Sequence, residues 1–161
     1  MPRALVLMGT ILLAVAAVAS AQAQSYLFTG VRALDCYDGD TCTFDILEDH
    51  PILGRLTFRA VSVRIQGLDA PERRGRCDAE KRLAAEARRF LLDLIAKAGR
   101  VDLRVAGRDK YGRLLATVIV DGADAAPRLI DAGLARAYTG RGPRGSWCEA
   151  DAAAQVTEPS S

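Results

Sequence analysis

Histidine is nearly missing from this 161-residue chain: His50 is the single one, set between acidic residues and a proline and far from any cysteine. There is no CxxC pair either, so a zinc site has no ligand set, and His50 is not expected to serve as a catalytic base. An excess of charge is also lacking. Lys and Arg number 22 against 20 Asp and Glu, a formal net charge of +2, too small to draw the chain to a polyanion by bulk attraction. Lysine is scarce, only Lys81, Lys97 and Lys110, so the cationic groups are guanidinium, a planar two-pronged donor suited to phosphate oxygens. Arg73, Arg74 and Arg76 cluster after Glu72, and Arg136, Arg141 and Arg144 cluster later. They read either as solvated surface charge or as the lining of an anionic groove. Internal repeats and linkers are absent, and the length suits one domain.

Long apolar runs are absent except at the start, where Arg3 precedes an apolar stretch from Ala4 to Ala19 and small residues follow at Ala21-Gln22-Ala23. The run is shorter than the ~20 residues a spanning helix needs, and its pattern is that of a cleaved secretory signal. The expected organisation is a signal peptide over 1–23, one domain over 24–149 and a weakly ordered tail over 150–161. The mature protein would be secreted or periplasmic, without stable membrane association. Cys36, Cys42, Cys77 and Cys148 then favour two disulfides. Four cysteines allow three connectivities. One pairs Cys36 with Cys42 across the Asp38-Gly39 turn and leaves Cys77 to Cys148.

Asp38-Gly39 is a strong hairpin signal between extended stretches at Val31–Cys36 and Thr41–Leu47. A third strand is expected from Arg55 to Ile65, with Leu56, Phe58 and Ala60 on its buried face. Leu83, Ala87, Phe90, Leu91, Leu94 and Ile95 recur at helical spacing within Asp78 to Ala98, before Gly99. Two more strands, Val101–Val105 and Leu114–Val120, precede a short helix from Ala125 to Ala132. The fold class is mainly β with added α. Its order of three strands, a long helix, two strands and a short second helix is that of a five-stranded, partly open OB-fold barrel, whose open face commonly binds oligonucleotides.

Three short runs carry chemistry: Asp38-Gly39-Asp40-Thr41, Arg64 through Asp69-Ala70-Pro71-Glu72, and Asp109-Lys110-Tyr111-Gly112-Arg113. Their acids and arginines fall at strand ends that a barrel would bring together. Hydrolysis of a phosphodiester requires the phosphate to be neutralised, a water activated and both held in line. Asp40 and Asp69, as paired carboxylates, need a cation between them, and all-oxygen donors select a hard one, Ca²⁺, Mg²⁺ or Mn²⁺. The Ala70 main-chain carbonyl is a further donor. Glu72, stiffened by Pro71, is placed to orient or deprotonate water, and Arg64 and Arg113 to bind phosphate. Each residue alone has a plainer reading. Asp40 serves as a turn acceptor, Glu72 as a surface ion-pair partner, Arg64 as a strand residue, and Tyr138 and Trp147 as core anchors instead of base-stacking groups.

Taken together and in this order, the runs resemble the thermonuclease family typified by staphylococcal nuclease, over about Val31 to Tyr138. That resemblance implies Ca²⁺ ligands at Asp40, Asp69 and the Ala70 carbonyl, a water-orienting Glu72, phosphate-binding Arg64 and Arg113, and contacts of Lys110 and Tyr111 to a terminal phosphate. It also implies cleavage of DNA and RNA at the 5′ P–O bond, leaving 3′-phosphates, by a monomer with one bound Ca²⁺. Three features depart from the family pattern. Ala70 replaces a threonine, the loop before the first helix is arginine-rich and contains Cys77, and the chain ends soon after Trp147, where a bridge from Cys148 would substitute for a C-terminal helix. The alternative is a catalytically inactive OB-type module that binds nucleic acid or protein.

Overall fold

The computed structural model describes residues 25–148. The signal segment expected over 1–23 and the tail expected over 150–161 lie outside the described residues. Nine strands and two helices follow one another as β1 (Tyr26–Phe28), β2 (Arg32–Cys36), β3 (Thr41–His50), β4 (Gly54–Ile65), β5 (Leu68–Asp69), α1 (Asp78–Ala96), β6 (Val101–Arg108), β7 (Leu114–Val120), β8 (Ala123–Asp124), α2 (Ala125–Asp131) and β9 (Arg136–Ala137). The fold is mainly β.

One mixed sheet runs in the order β1-β6-β7-β4-β3-β2, with β8 on β7, and β5 pairs with β9 in a separate ribbon. All pairs are antiparallel except β4 with β7, which set Arg64 beside Leu115. Among the described residues no pairing joins β1 to β2, so the sheet does not close into a barrel. The expected five strands are all present, as β2, β3, β4, β6 and β7. The extra strands are only two or three residues long, too short for a period of two to be read; β1, β5 and β9 are held by pairing to distant segments, and β8 folds straight back on β7.

A second correction concerns β4. Its first half was expected to bury Leu56, Phe58 and Ala60, yet Phe58 is 46% exposed and Ala60 is exposed. Here β3 and β4 project as a two-stranded ribbon ending at His50, which closes β3 opposite Gly54 and accepts from the amides of Ile52 and Leu53. The register slips between Phe44 and Ile46, and Ala60 adopts a positive φ of 52°. Alternation is therefore broken at the bulge, and the core face resumes only at Val63 and Ile65.

The core is built from Phe44, Ile46, Val63, Ile65, Leu68, Leu103, Val118 and Val120 of the strands, closed by Leu91 of α1 and Leu129 of α2. α1 rests on β2 and α2. Its buried positions Ala84, Ala87 and Leu91 recur at three and four residues, the period of a one-sided helix. Two disulfides are formed, Cys36–Cys42 and Cys77–Cys148.

Candidate active site

The Asp38-Gly39-Asp40 turn is positioned by contacts on every side. Cys36 and Cys42 close it covalently, the Tyr37 amide donates to the Thr41 carbonyl at 2.7 Å, and the Asp40 amide donates to Asp38 Oδ1 at 3.1 Å. From α1, Arg88 donates to the Cys36 carbonyl at 2.5 Å. Gly39 is required for a steric reason: a Cβ there would lie 2.7 Å from the Ala87 Cβ and 2.9 Å from the Ala70 Cβ. That close approach seats the turn against both α1 and the segment after β5.

Strand pairing then assembles the site. Thr41 lies opposite Arg64 in the β3–β4 ladder, and the Ile65 amide donates to the Asp40 carbonyl at 2.7 Å. Asp40 Oδ2 accepts the Ala70 amide at 3.2 Å. Arg64 is buried, with Nη1 on Asp40 Oδ1 and Nη2 3.9 Å from Asp69 Oδ1, so one guanidinium spans both carboxylates. Arg113, just before β7, is held by its Nε donating to Asp109 Oδ2 at 2.7 Å and its Nη1 to Thr41 Oγ1 at 3.1 Å. Thr41 Oγ1 in turn donates to Asp40 Oδ1 at 2.9 Å. The expected residues Asp40, Arg64, Asp69, Ala70 and Arg113 thus converge.

Glu72 joins them through Arg144. This arginine places Nη1 2.6 Å from Glu72 Oε1 and Nε 3.1 Å from Asp69 Oδ1. It stands on an irregular strap, residues 138–148, which Cys148 ties to Cys77 at the start of α1. The strap also brings Trp147, buried under Arg136, to donate from Nε1 to Asp69 Oδ2 at 3.3 Å. Trp147 is therefore an internal anchor. The loop that carries Glu72 is fixed by Glu80, whose buried carboxylate accepts the amides of Arg76 at 2.8 Å and Glu72 at 3.3 Å. A Cβ on Gly75 would run into that carboxylate at 2.6 Å.

A cleft of about 560 Å³ opens over these groups, lined by Tyr37, Asp38, Thr41, Arg64, Glu72, Lys110, Tyr111, Arg113 and Arg144. Lys110 Nζ lies 4.9 Å from the Tyr111 ring centre and Arg113 Cζ lies 5.5 Å from it. Tyr138 does not line this cleft. It borders an adjoining cavity of about 700 Å³ that shares Arg64, Tyr111, Arg113 and Arg144, and its hydroxyl donates to the Gly142 carbonyl at 2.8 Å.

Burial dominates the electrostatics. It pushes the Asp38 carboxyl up to about 7, helped by the negative charges of Asp40 and Glu72 and opposed by the Asp40 amide. It also raises Asp69 above the usual carboxylate range, against the pull of Arg144 and the Trp147 hydrogen bond. Asp69 Oδ1 is buried with no hydrogen bond aligned on it, although Arg144 stands close. Two carboxylates, one of them with an unsatisfied oxygen, form an all-oxygen donor set that could hold a hard cation with water completing the shell. Cys77, Glu80 and Cys148 also bring ligand atoms within 4.8 Å of one another, but the disulfide consumes both thiols.

Sequence reasoning grouped Arg144 only with a C-terminal arginine cluster and did not single out Asp38 or Glu80 as site residues. Arg144 shares its Gly-, Pro- and Ser-rich stretch with Arg141 and has no motif to set it apart, and it reaches the acids on a strap held by the Cys77–Cys148 disulfide and by Trp147. For Glu80 a signal existed, an acid in the first turn of a helix that follows a glycine- and arginine-rich loop.

The family model for staphylococcal nuclease homologues matches residues 62–156, more than half of the chain. No curated protein matches it.

Proposed function

The chain belongs to the staphylococcal nuclease homologue family, and from that premise we propose that it is an exported, Ca²⁺-dependent endonuclease that hydrolyses DNA and RNA with little sequence specificity. The observation that carries the reading is that Arg64, Glu72 and Arg113 line one open cleft while Asp40 and Asp69 lie buried against Arg64 beneath it. In this reading the fold is an OB-like sheet whose open face takes the polynucleotide. Residues 1–23 are removed on export, and the mature protein works as a monomer in the periplasm or outside the cell. The two disulfides are compatible with such a compartment, and among the described residues no helix is long and apolar enough to cross a membrane.

Asp40, Asp69 and the Ala70 carbonyl would hold Ca²⁺, which supplies positive charge against the phosphate. Glu72 is aimed by Pro71 on one side and by the Glu80 carboxylate gripping its amide on the other. Its carboxylate accepts a proton from the attacking water and holds that water in line with the phosphorus. Arg113, braced by Asp109 and Thr41, presents its remaining N–H groups to a phosphate oxygen. Arg64 gives the buried cationic wall of the cleft. Both stabilise negative charge as the phosphorus becomes pentacoordinate, where loss of one such donor costs about 3 kcal/mol. Scission of the 5′ P–O bond then leaves a 3′-phosphate. Lys110 and Tyr111 bind a terminal phosphate of the nucleotide in the same cleft, and Tyr138 sits beside them.

The competing reading is a module of this fold that binds nucleic acid or protein without cutting. Heat-denatured DNA and RNA incubated with the oxidised protein in Ca²⁺ or in EGTA separate the two. Cleavage that EGTA abolishes supports the nuclease. Retention of nucleic acid without cleavage in Ca²⁺, Mg²⁺ and Mn²⁺ supports the module.

A further inference from the structure

One aromatic group in the cleft has no part in gripping metal or phosphate. Tyr37 lies between Cys36 and Asp38, inside the loop closed by the disulfide between cysteines six positions apart. Its amide is committed to the Thr41 carbonyl, which fixes the backbone, while its side chain stays 43% exposed and lines the cleft. Arg73, the residue after Glu72, sets its guanidinium 4.9 Å from the Tyr37 ring centre. Among the described residues no carboxylate pairs with Arg73, so this guanidinium is engaged by the ring alone. Tyr111, 72% exposed, lines the same cleft with Lys110 and Arg113 against its own ring.

We propose that Tyr37 and Arg73 form a stacking platform for an unpaired base flanking the scissile phosphate. The inference rests on the nuclease reading of the cleft. Arginines and carboxylates grip phosphate and metal, and they do not discriminate a splayed strand from a duplex. Aromatic and guanidinium planes do, because a base can lie flat on them only after leaving its own stack. The disulfide fixes the backbone that carries Tyr37, and the Arg73 guanidinium on its ring extends the flat surface and adds positive charge for the neighbouring phosphate. Every base has a π face, so the platform raises affinity without imposing a sequence.

The test uses the oxidised protein in saturating Ca²⁺ and single-stranded oligodeoxynucleotides with one cleavable phosphodiester among resistant linkages. An abasic sugar replaces the base on either side of that linkage, and matched duplexes serve for comparison. For the wild type, one of the two abasic substitutions should raise KM by about 5- to 100-fold with kcat little changed, the range expected for one stacked base. Tyr37→Ala should raise KM on the intact strand by a similar factor, lose sensitivity to that abasic site, and bring single- and double-strand rates closer together. Tyr37→Phe should retain wild-type behaviour, and Tyr37→Leu, which keeps bulk without the π face, should resemble the alanine variant. An abasic penalty that persists undiminished in Tyr37→Ala overturns the platform. If the wild type cuts nothing, the nuclease reading fails and fluorescence anisotropy of a labelled single strand decides this one separately: selective loss of single-strand affinity in Tyr37→Ala upholds the platform, and equal affinity, or no binding by the wild type, overturns it.

Discussion

Arg144→Ala probes how the acid cluster is kept tolerable inside the fold. In the native protein this arginine contacts Glu72 at 2.6 Å and Asp69 at 3.1 Å. The Glu72 pair is about half exposed on both sides, so water and salt screen it and its loss costs under about 1 kcal/mol. Asp69 is different, because only 4% of its side chain is exposed. Without Arg144 it keeps the Trp147 donor at 3.3 Å and Arg64 at 3.9 Å. A buried, under-partnered carboxylate costs about 1–3 kcal/mol, and that sets the total. For a domain of this size the Tm should fall by roughly 3–12 °C in EGTA. At the proposed site, saturating Ca²⁺ would restore positive charge next to Asp69, so the deficit should shrink to a small fraction in Ca²⁺, read by thermal melts of both proteins in both conditions. An equal deficit with and without Ca²⁺, or a variant as stable as wild type in EGTA, refutes the reasoning.

Gly39→Ala places a methyl 2.7 Å from Ala87 and 2.9 Å from Ala70, two backbone-borne groups that cannot swing aside. It should cost about 1–3 kcal/mol and weaken Ca²⁺ binding by moving Asp40, measured by melts and by Ca²⁺ titration calorimetry. Removing the longer disulfide with Cys77→Ser and Cys148→Ser opens a loop with a sequence separation of 71, worth about 4 kcal/mol on chain entropy. It should also free the Arg144 strap, visible as faster proteolysis within residues 138–148. Asp102 is held below the usual carboxylate range by the Arg100 hydrogen bond and the Gly30 amide, against burial. A depressed folded-state value gives stability that is present above about pH 4 and lost as pH falls through the folded value. Asp102→Asn should therefore melt a few degrees lower at pH 7, and the gap to wild type should close below pH 4.

The parts of the fold that rest on local chemistry were legible. The Asp38-Gly39 turn marks β2 and β3, the helical recurrence of Leu83, Ala87, Phe90, Leu91, Leu94 and Ile95 marks α1, and β7 runs over Leu114–Val120 as its apolar content predicts. What escaped depends on distant partners. β5 is two residues long and exists because β9 arrives beside it, and Leu56, Phe58 and Ala60 alternate like a core strand but lie beyond the bulge at Asp45, where no second layer among the described residues buries them. The site divides in the same way. Asp40, Arg64, Asp69, Glu72 and Arg113 sit in short motifs whose residue types mark them as candidates, and the structure brings them close together. Arg144 and Glu80 act on those motifs through a disulfide and through backbone amides, connections that spacing does not encode. The pairing of Cys77 with Cys148 was one of three possibilities until the strap brought the two sulfurs together.

The most direct test is the rate of DNA cleavage in saturating Ca²⁺ for wild type, Glu72→Gln and Arg113→Ala, each checked for an intact melt and an intact Ca²⁺-induced rise in Tm. The account predicts that both variants stay folded and Ca²⁺-responsive while losing about 10²-fold or more in rate. A folded variant that cuts at the wild-type rate would contradict it.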